Sequence, residues 1–220
     1  MEIITQLMDF VIHIDRHLAE IIQNYGTWAY LILFIIIFSE TGLVVTPFLP
    51  GDSMLFVVGA LCTTGALNIN LAILLLIIAA VVGNTLNYFI GKMIGERIME
   101  SRKNRFVKKE YIGKAQAFYD KYGGKAIFLS RFLPILRTFA PFVAGIGKMS
   151  FDKFSMYNIA GAAAWVLVFM LGGFFFGNIP IVKENLTYVI FGIIFVSLLP
   201  AVITGLKVKK EEMKVIIPEE

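Results

Sequence analysis

The chain has 220 residues, of which 58% are hydrophobic and 16% are charged, whereas average soluble domains carry about 25% charged residues. Its uncharged stretches 53–91, 154–182 and 185–206 each exceed the ~20 residues that a helix needs to cross a bilayer core. The composition therefore argues against an ordinary soluble domain and predicts an all-α polytopic membrane protein. The net charge of +4 is interpreted as a signal of membrane orientation, and no nucleic-acid partner is predicted.

Residues 2–25 are predicted to form an amphipathic helix. Apolar residues recur there at spacings of three and four, which places them on one face. The segment is too polar to span a membrane, so we expect it to lie in the interface or to dock on the helix bundle. His13 and His17 are four residues apart but are interpreted as a polar helix edge, because no further ligand cluster is visible. Neither a metal nor another cofactor is predicted.

The segment 26–67 is apolar but interrupted at its centre. It carries two carboxylates, two prolines and a glycine there: Glu40, Asp52, Pro47, Pro50 and Gly51. Prolines and glycines disfavour one continuous helix. Broken backbone at membrane depth is tolerated where it is buried in protein or lines a wet cavity. We therefore predict a re-entrant helical hairpin, which enters and leaves the membrane on the same side.

A full transmembrane helix is predicted at 71–91, and a basic segment follows at 92–125. Lys and Arg outnumber Asp and Glu in this segment, so the positive-inside rule places it in the cytoplasm. Two further spans are predicted at 154–176 and 185–206. The lysine-containing tail, 207–220, is expected to be cytoplasmic.

A second broken segment lies at 126–147. It carries two arginines and two prolines: Arg131, Arg137, Pro134 and Pro141. Because two buried charges and two prolines make it a poor spanning helix, we predict a second re-entrant hairpin that enters from the cytoplasmic side.

The sequence thus predicts a single membrane domain, 1–220, with two re-entrant hairpins of inverted topology, three full spans and the N-terminal amphipathic helix. With the C-terminus inside, this count places the first hairpin and the N-terminus outside. A full span over 28–49 would instead place the N-terminus inside. In transporters built as inverted repeats, substrate sites form near the midplane where broken helices meet.

The four charges at membrane depth are the candidate functional residues. An unpaired charge at the bilayer centre costs roughly 2.5–3.5 kcal/mol on insertion scales. Guanidinium groups suit phosphate, so Arg131 and Arg137 are predicted to bind the substrate. Glu40 and Asp52 are predicted to couple protons, because burial favours the neutral form of a carboxyl group and a neighbouring arginine favours the charged form. The alternative is a pair of acid–base bridges that only staple the hairpins.

Several residues of the spans have secondary interpretations. Asn84 and Asn87 are expected either to line the cavity or to form hydrogen bonds between helices. Trp165 is interpreted as a packing or interface residue. Three glycines are interpreted as points of close helix packing: Gly91, Gly95 and Gly161.

Two motifs carry a resemblance to a known family. They are E-T-G at 40–42 followed by P-F-L-P-G-D at 47–52, and R-F-x-P-x-x-R at 131–137 followed by Pro141 and the A-G pair at 144–145. The chain resembles the DedA family of bacterial inner-membrane proteins, which are relatives of the VTT-domain lipid scramblases. The resemblance covers nearly the whole chain and is closest to the subgroup that gave the family its name.

The resemblance implies lipid transport. Members are described as flippases of undecaprenyl phosphate or phospholipids that depend on the proton motive force, with the functional acids and arginines at the positions of Glu40, Asp52, Arg131 and Arg137. Relatives often have an acid where this chain has Asn84. The expected partners are protons and lipids with phosphate-bearing headgroups. Whether the protein forms a homo-oligomer is left undecided. Two alternatives are a proton-dependent ion or drug antiporter and a non-transporting membrane-integrity factor. No hydrolase or kinase signature occurs, so no enzymatic activity is predicted.

Overall fold

All the regular structure in the described residues is α-helical, as predicted. The computed structural model describes residues 14–43, 51–100, 119, 122–177, 179–184, 188–189 and 192. The helices, in chain order, are α1 (Ile14–Tyr25), α2 (Trp28–Gly42), α3 (Gly51–Cys62), α4 (Ile69–Glu100), α5 (Lys125–Ser130), α6 (Pro134–Ile146), α7 (Phe151–Phe176) and α8 (Pro180–Glu184). Most of the predicted span 185–206, the tail 207–220, the start of the amphipathic helix and most of the basic segment lie outside these residues.

The helices α4 and α7 are the two in the described chain that are long and apolar enough to cross a membrane. α4 has 32 residues and α7 has 26. α4 begins at Ile69 and continues past Gly91, the end predicted for this span, to Glu100. Glycines do not end it there because a neighbouring helix packs against them, as described below.

The amphipathic helix α1 docks on the bundle. It packs against α2 and α3, and its apolar residues Leu18 and Ile22 are buried in the main core. Of the two positions that its sequence pattern left open, the structure therefore shows docking.

The first predicted break separates α2 from α3. α2 ends at Gly42, and Leu43 turns to an extended conformation with φ −96° and ψ 118°. α3 begins at Gly51. Pro47 and Pro50 fall between them, outside the described residues.

The second break separates α5 from α6 and follows from proline chemistry. Pro134 is at the start of α6, where its missing N–H leaves no helical bond unmade. Leu133 is extended, with φ −120° and ψ 105°, because a residue before proline is driven out of the helical region. Pro141 was also expected to mark the broken segment, but α6 continues through it to Ile146.

Helix α2 runs beside the first half of α4 and in the same direction. Near the start of α2, the hydroxyl of Tyr30 accepts a hydrogen bond from the backbone N–H of Asn68 at 2.7 Å. At its end, Gly42 lies against the backbone of Gly83. α2 therefore ends near the middle of α4.

Helix α6 continues this line beside the second half of α4. Asn87 donates to the carbonyl of Thr138 at 2.7 Å, and Ile146 at the end of α6 lies against Gly95. α4 is thus accompanied by two short helices in series, both parallel to it.

Helix α7 is accompanied in the same way by α5 and then α3. Phe128 of α5 lies against Gly161 of α7. Farther along, Trp165 contacts the first turn of α3, and Gly177 lies against Ala60 near the end of α3.

The two long helices run antiparallel where they cross. Asn158 of α7 donates to the carbonyl of Val81 in α4 at 3.1 Å. Beyond this contact, the ring of Phe154 stacks on Tyr88 with 4.4 Å between centroids. The end of α2, the start of α3, the end of α5 and the start of α6 therefore all meet near this crossing.

The packing is nearly unchanged when the two halves, α2–α3–α4 and α5–α6–α7, are exchanged. α2 packs on α4 as α5 packs on α7, and α3 packs on α7 as α6 packs on α4. Glycines close both of the latter contacts: Gly59 and Gly173 between α3 and α7, and Gly91 and Gly145 between α4 and α6. In each case the helix backbones touch, which only a residue without Cβ allows.

Candidate functional site

Arg137 holds both acids of the first broken segment. Glu40 lies in the last turn of α2, Asp52 in the first turn of α3, and Arg137 in the first turn of α6. Nη1 of Arg137 donates to Oδ1 of Asp52 at 2.6 Å, and Nη2 donates to Oε1 of Glu40. All three side chains are buried. Three helix ends are thus joined by one guanidinium group.

Asp52 and Arg137 are further held by Trp165 of α7. The indole N–H donates to Oδ1 of Asp52 at 2.8 Å. The guanidinium carbon of Arg137 lies 4.7 Å from the centre of the indole ring, which is a cation–π distance. Trp165 therefore contacts both charges of this ion pair.

Gly51 shapes the pocket of Glu40. A Cβ atom at Gly51 would overlap the Glu40 carboxylate, so the carboxylate fits against α3 only because position 51 has no side chain.

Arg131 follows the last residue of α5 and is only 1% exposed. Its Nη2 donates to Oδ1 of Asn158 at 2.5 Å and to the carbonyl of Ala80 at 3.2 Å. The amide of Asn84, oriented by its hydrogen-bonding neighbours, accepts from the same nitrogen at 2.9 Å. Nε and Nη1 have no hydrogen-bond partner in the described part of the chain. Among the described residues, the hydrogen-bond partners of Arg131 are therefore neutral groups, and the N–H donors of Nε and Nη1 are unused.

A small residue makes room for Arg131. A Cβ at Gly161 would lie 3.2 Å from Cδ of the arginine, a tight contact. This glycine was interpreted as a point of helix packing, and the structure shows close approach to both α5 and the Arg131 side chain.

Three buried asparagines surround the charges. Asn84 donates to the carbonyl of Thr41 at 3.2 Å, and Asn87 donates to the carbonyl of Thr138 at 2.7 Å. Asn158 bonds Arg131 and the backbone of α4. These amides fix the helix ends around the site without adding charge.

The structure brings together most of the predicted site. Glu40, Asp52 and Arg137 are in direct contact, and Gly51 and Asn84 touch the cluster. Pro134 starts α6, and Pro141 is buried one turn after Arg137. Pro47 and Pro50 lie outside the described residues.

The pairing of charges differs from two separate acid–base bridges. Arg137 takes both carboxylates, whereas Arg131 reaches across to α4 and α7. The break at 131–133 causes this difference, because it turns the two arginines toward different helices.

Sequence reasoning missed two residues of the site. Asn158 is a buried amide in an otherwise apolar helix, and that anomaly was a usable signal. Trp165 carried no such signal, since an aromatic residue in an apolar helix is ordinary. Its interpretation as a packing residue was incomplete.

The arrangement has two parts with different chemistry. In the first part, two carboxylates share one arginine. The second arginine lies nearby with unused donors, and such a fork binds the oxygens of phosphate or carboxylate. An anion at Arg131 would accept hydrogen bonds from these unused donors.

The chain is similar to proteins described as membrane proteins. The family model of the VTT domain matches residues 49–175. Protein DedA of Escherichia coli strain K12 is 52% identical over 96% of this chain and 97% of its own length. The uncharacterized membrane protein ML0287 of Mycobacterium leprae is 42% identical over 78% and 77%, and the inner membrane protein YqjA of Escherichia coli is 32% identical over 82% of each. No solved structure matches the chain.

Proposed function

Because the chain belongs to the VTT-domain family of membrane proteins that includes DedA, we propose that it is a membrane lipid transporter. In this proposal it is a multi-pass protein of the bacterial cytoplasmic membrane. It moves a phosphate-bearing lipid, such as undecaprenyl phosphate or a phospholipid, from one leaflet to the other. The observation that carries the proposal is the buried cluster of two carboxylates and two arginines where four short helices meet.

The substrate phosphate is assigned to Arg131. Its Nε and Nη1 are buried donors without a partner among the described residues, and a buried unpaired donor is costly. A phosphate oxygen would satisfy them with charge-assisted hydrogen bonds. A cationic substrate would be repelled here, so the arginines favour an anion over a cation.

Proton coupling is assigned to Glu40 and Asp52. A phosphate that reaches Arg137 competes with the two carboxylates for its N–H groups. A carboxylate that loses this partner in a buried site favours its neutral form and takes up a proton. Binding of the anion and protonation of an acid would then occur together.

The path of the chain supports re-entrant hairpins. α2 runs with α4 and ends near its middle, and α3 then runs with the antiparallel α7. α5 and α6 reverse in the same way. If α4 and α7 cross the membrane, the two hairpins enter from opposite sides and their tips meet inside it. The proposal requires no covalent step, cofactor or nucleic acid, and it leaves homo-oligomers open.

The test is a flipping assay with the purified full-length chain in phosphatidylcholine vesicles. Fluorescent phosphatidylglycerol and a fluorescent short-chain polyprenyl phosphate are the probes, and dithionite quenching reports the outer leaflet. We expect Arg131→Gln to lower the flipping rate about tenfold or more, because charge-assisted hydrogen bonds contribute about 1.5–3 kcal/mol. The matched control is Lys153→Gln, which removes an exposed positive charge.

Four results would contradict the proposal. Wild-type flipping at the rate of empty vesicles excludes lipid transport, and a normal rate in Arg131→Gln excludes the phosphate-binding role. Ion flux driven by a pH gradient, without movement of either lipid, would favour the antiporter. Removal of all four charges without any loss of function in cells would favour a membrane-integrity factor.

A further inference from the structure

Asn158 is a fully buried amide of α7 that lies where this helix crosses α4. Its Nδ2 donates to the carbonyl of Val81 at 3.1 Å and to the hydroxyl of Thr85 at 3.3 Å, both on α4. Its Oδ1 accepts a hydrogen bond from Nη2 of Arg131 at 2.5 Å. One side chain thus connects the crossing of the two long helices to the arginine with unused donors.

The neighbours of Asn158 determine which way its amide points. A half-turn of the amide would place Nδ2 against the N–H groups of Arg131 and Oδ1 against the carbonyl of Val81. Both contacts would be repulsive, because donor would face donor and acceptor would face acceptor. The oxygen of Asn158 is therefore directed to the guanidinium group. Gly161, on the same helix, leaves room for Cδ of that arginine.

The groups that hold Arg131 are neutral. Its Nη2 also donates to the carbonyl of Ala80 and to the amide of Asn84, so one nitrogen makes all the hydrogen bonds of this guanidinium group to described residues. Arg137, on the same hairpin, is instead held by two carboxylates. A buried cation is costly unless a counterion pairs with it. Arg131 is thus fixed in place by contacts that do not neutralise it.

We propose that Asn158 is a positioning residue for anion binding, which orients the guanidinium group of Arg131 and leaves its charge available to the lipid phosphate. The inference rests on the proposed function and adds a second residue to the phosphate site. An amide offers the same acceptor oxygen as the carboxylate of aspartate, which has nearly the same size, but without the negative charge. A carboxylate at this position would itself be the counterion of Arg131 and would compete with the phosphate.

Two variants, Asn158→Asp and Asn158→Ala, separate this role from simple packing. The purified full-length chain in dodecyl maltoside micelles is titrated with dioleoyl phosphatidic acid, and the thermal unfolding temperature is measured. A ligand that binds the folded state raises this temperature by mass action, so the titration gives an apparent Kd. Dioleoylglycerol, which has the same chains without phosphate, controls for a general effect of lipid.

The two variants should rank differently in the two measurements. Asn158→Asp should weaken binding of phosphatidic acid about tenfold or more, because an internal anion pairs with Arg131. Asn158→Ala should weaken it only several-fold, because the charge stays available but its orientation is lost. Without lipid, Asn158→Asp should nevertheless unfold at the higher temperature of the two. Both variants lose the bonds donated to α4, and only aspartate gives the buried cation a partner.

A double variant tests whether Asn158 acts through Arg131. In an Arg131→Gln background, Asn158→Asp should cause no further loss of affinity for phosphatidic acid. It should now lower the unfolding temperature, because the new carboxylate is buried without a cation. The matched control is Asn70→Asp, the same substitution at an exposed position in the first turn of α4, which should change neither affinity nor unfolding temperature.

The outcomes distinguish this inference from the proposed function. If Arg131→Gln weakens binding while Asn158→Asp binds as the wild type does, the positioning role is wrong and the phosphate site stands. The same order of the two Asn158 variants in affinity and in stability would also overturn the positioning role, since it would indicate packing alone. Equal effects of phosphatidic acid and dioleoylglycerol on the wild type would overturn both the phosphate site and the inference. Binding that depends on Asn158 and Arg131, in a protein that flips no lipid, supports the positioning role and overturns transport.

Discussion

Arg137 contacts both buried carboxylates, Glu40 through one terminal nitrogen and Asp52 through the other. Its ring contact with Trp165 and the indole bond to Asp52 hold this geometry. A buried charge that loses its partner is far more costly than the intact pair is stabilising. The three charges therefore form one unit, in which each partner limits the orientation of the others.

Removal of Arg137 alone should destabilise the fold more than removal of Arg137 and Glu40 together. Arg137→Gln leaves two carboxylates without their cation, and we expect a loss of about 3–5 kcal/mol in the free energy of unfolding. The double variant Arg137→Gln, Glu40→Gln leaves only Asp52 without its cation and should recover part of that loss. Denaturant unfolding in detergent micelles measures both.

Lys153→Gln is the control for charge removal and should change the free energy of unfolding by no more than about 0.5 kcal/mol, since Lys153 is exposed. A double variant less stable than the single one would show that Glu40 is stabilised by groups other than Arg137.

Charge at membrane depth was enough to predict Glu40, Asp52, Arg131 and Arg137 as one group. The partners of each charge were not predictable, because they depend on where helix breaks aim the side chains. Arg131 and Arg137 are on the same hairpin but face different neighbours. Trp165 joins the site from an apolar helix, where sequence offers no reason to separate it from packing residues.

At the scale of elements, the two prolines of the second hairpin act differently. Pro134 begins α6 and forces Leu133 out of the helical region, so its effect followed from local chemistry. Pro141 is inside α6 without ending it, because the surrounding helices hold the segment straight enough to continue. The effect of a proline on the preceding residue therefore explains the break at Pro134. Packing against the surrounding helices explains why α6 continues through Pro141.

The contact between α3 and α7 gives a matched pair of glycine substitutions. A Cβ at Gly173 would overlap the carbonyl of Phe56, whereas a Cβ at Gly172 meets nothing closer than 3.9 Å. We expect Gly173→Ala to destabilise the fold by about 1–3 kcal/mol through overpacking. Gly172→Ala should be neutral or stabilising by up to about 1 kcal/mol, because alanine favours helix.

Thermal unfolding in micelles compares the two variants directly. If the two variants changed the unfolding temperature equally, α3 and α7 would have to move apart at this contact without cost. That result would contradict the close approach of their backbones. The adjacent positions share helix, depth and chemistry, so only the space at the contact differs.

At the scale of the whole molecule, the two long helices α4 and α7 run antiparallel. Each packs against two short helices, one from each half of the chain: α2 and α6 on α4, and α5 and α3 on α7. The turn 63–68 before α4 and the turn 147–150 before α7 consequently lie at opposite ends. If α4 and α7 span the membrane, these turns lie on opposite sides of it. Combined with the positive-inside rule, the turn before α7 is expected in the cytoplasm.

Cysteine labelling in intact cells tests this orientation. In a Cys62→Ala background, Ala66→Cys should react with a membrane-impermeant maleimide added outside, and Ser150→Cys should react only after permeabilisation. Both native residues are exposed. Labelling of both positions from the same side would contradict a spanning α4, and the reverse pattern would invert the predicted topology.

The sharing of each long helix between the halves also constrains biosynthesis. The ribosome must add a further 85 residues after Asp52 before Arg137 exists to neutralise it. At 5–20 residues per second, that interval is roughly 4–17 s. During it, α3 also lacks α7, the helix against which it packs. Glu40 and Asp52 are therefore made before the arginine that pairs with both of them.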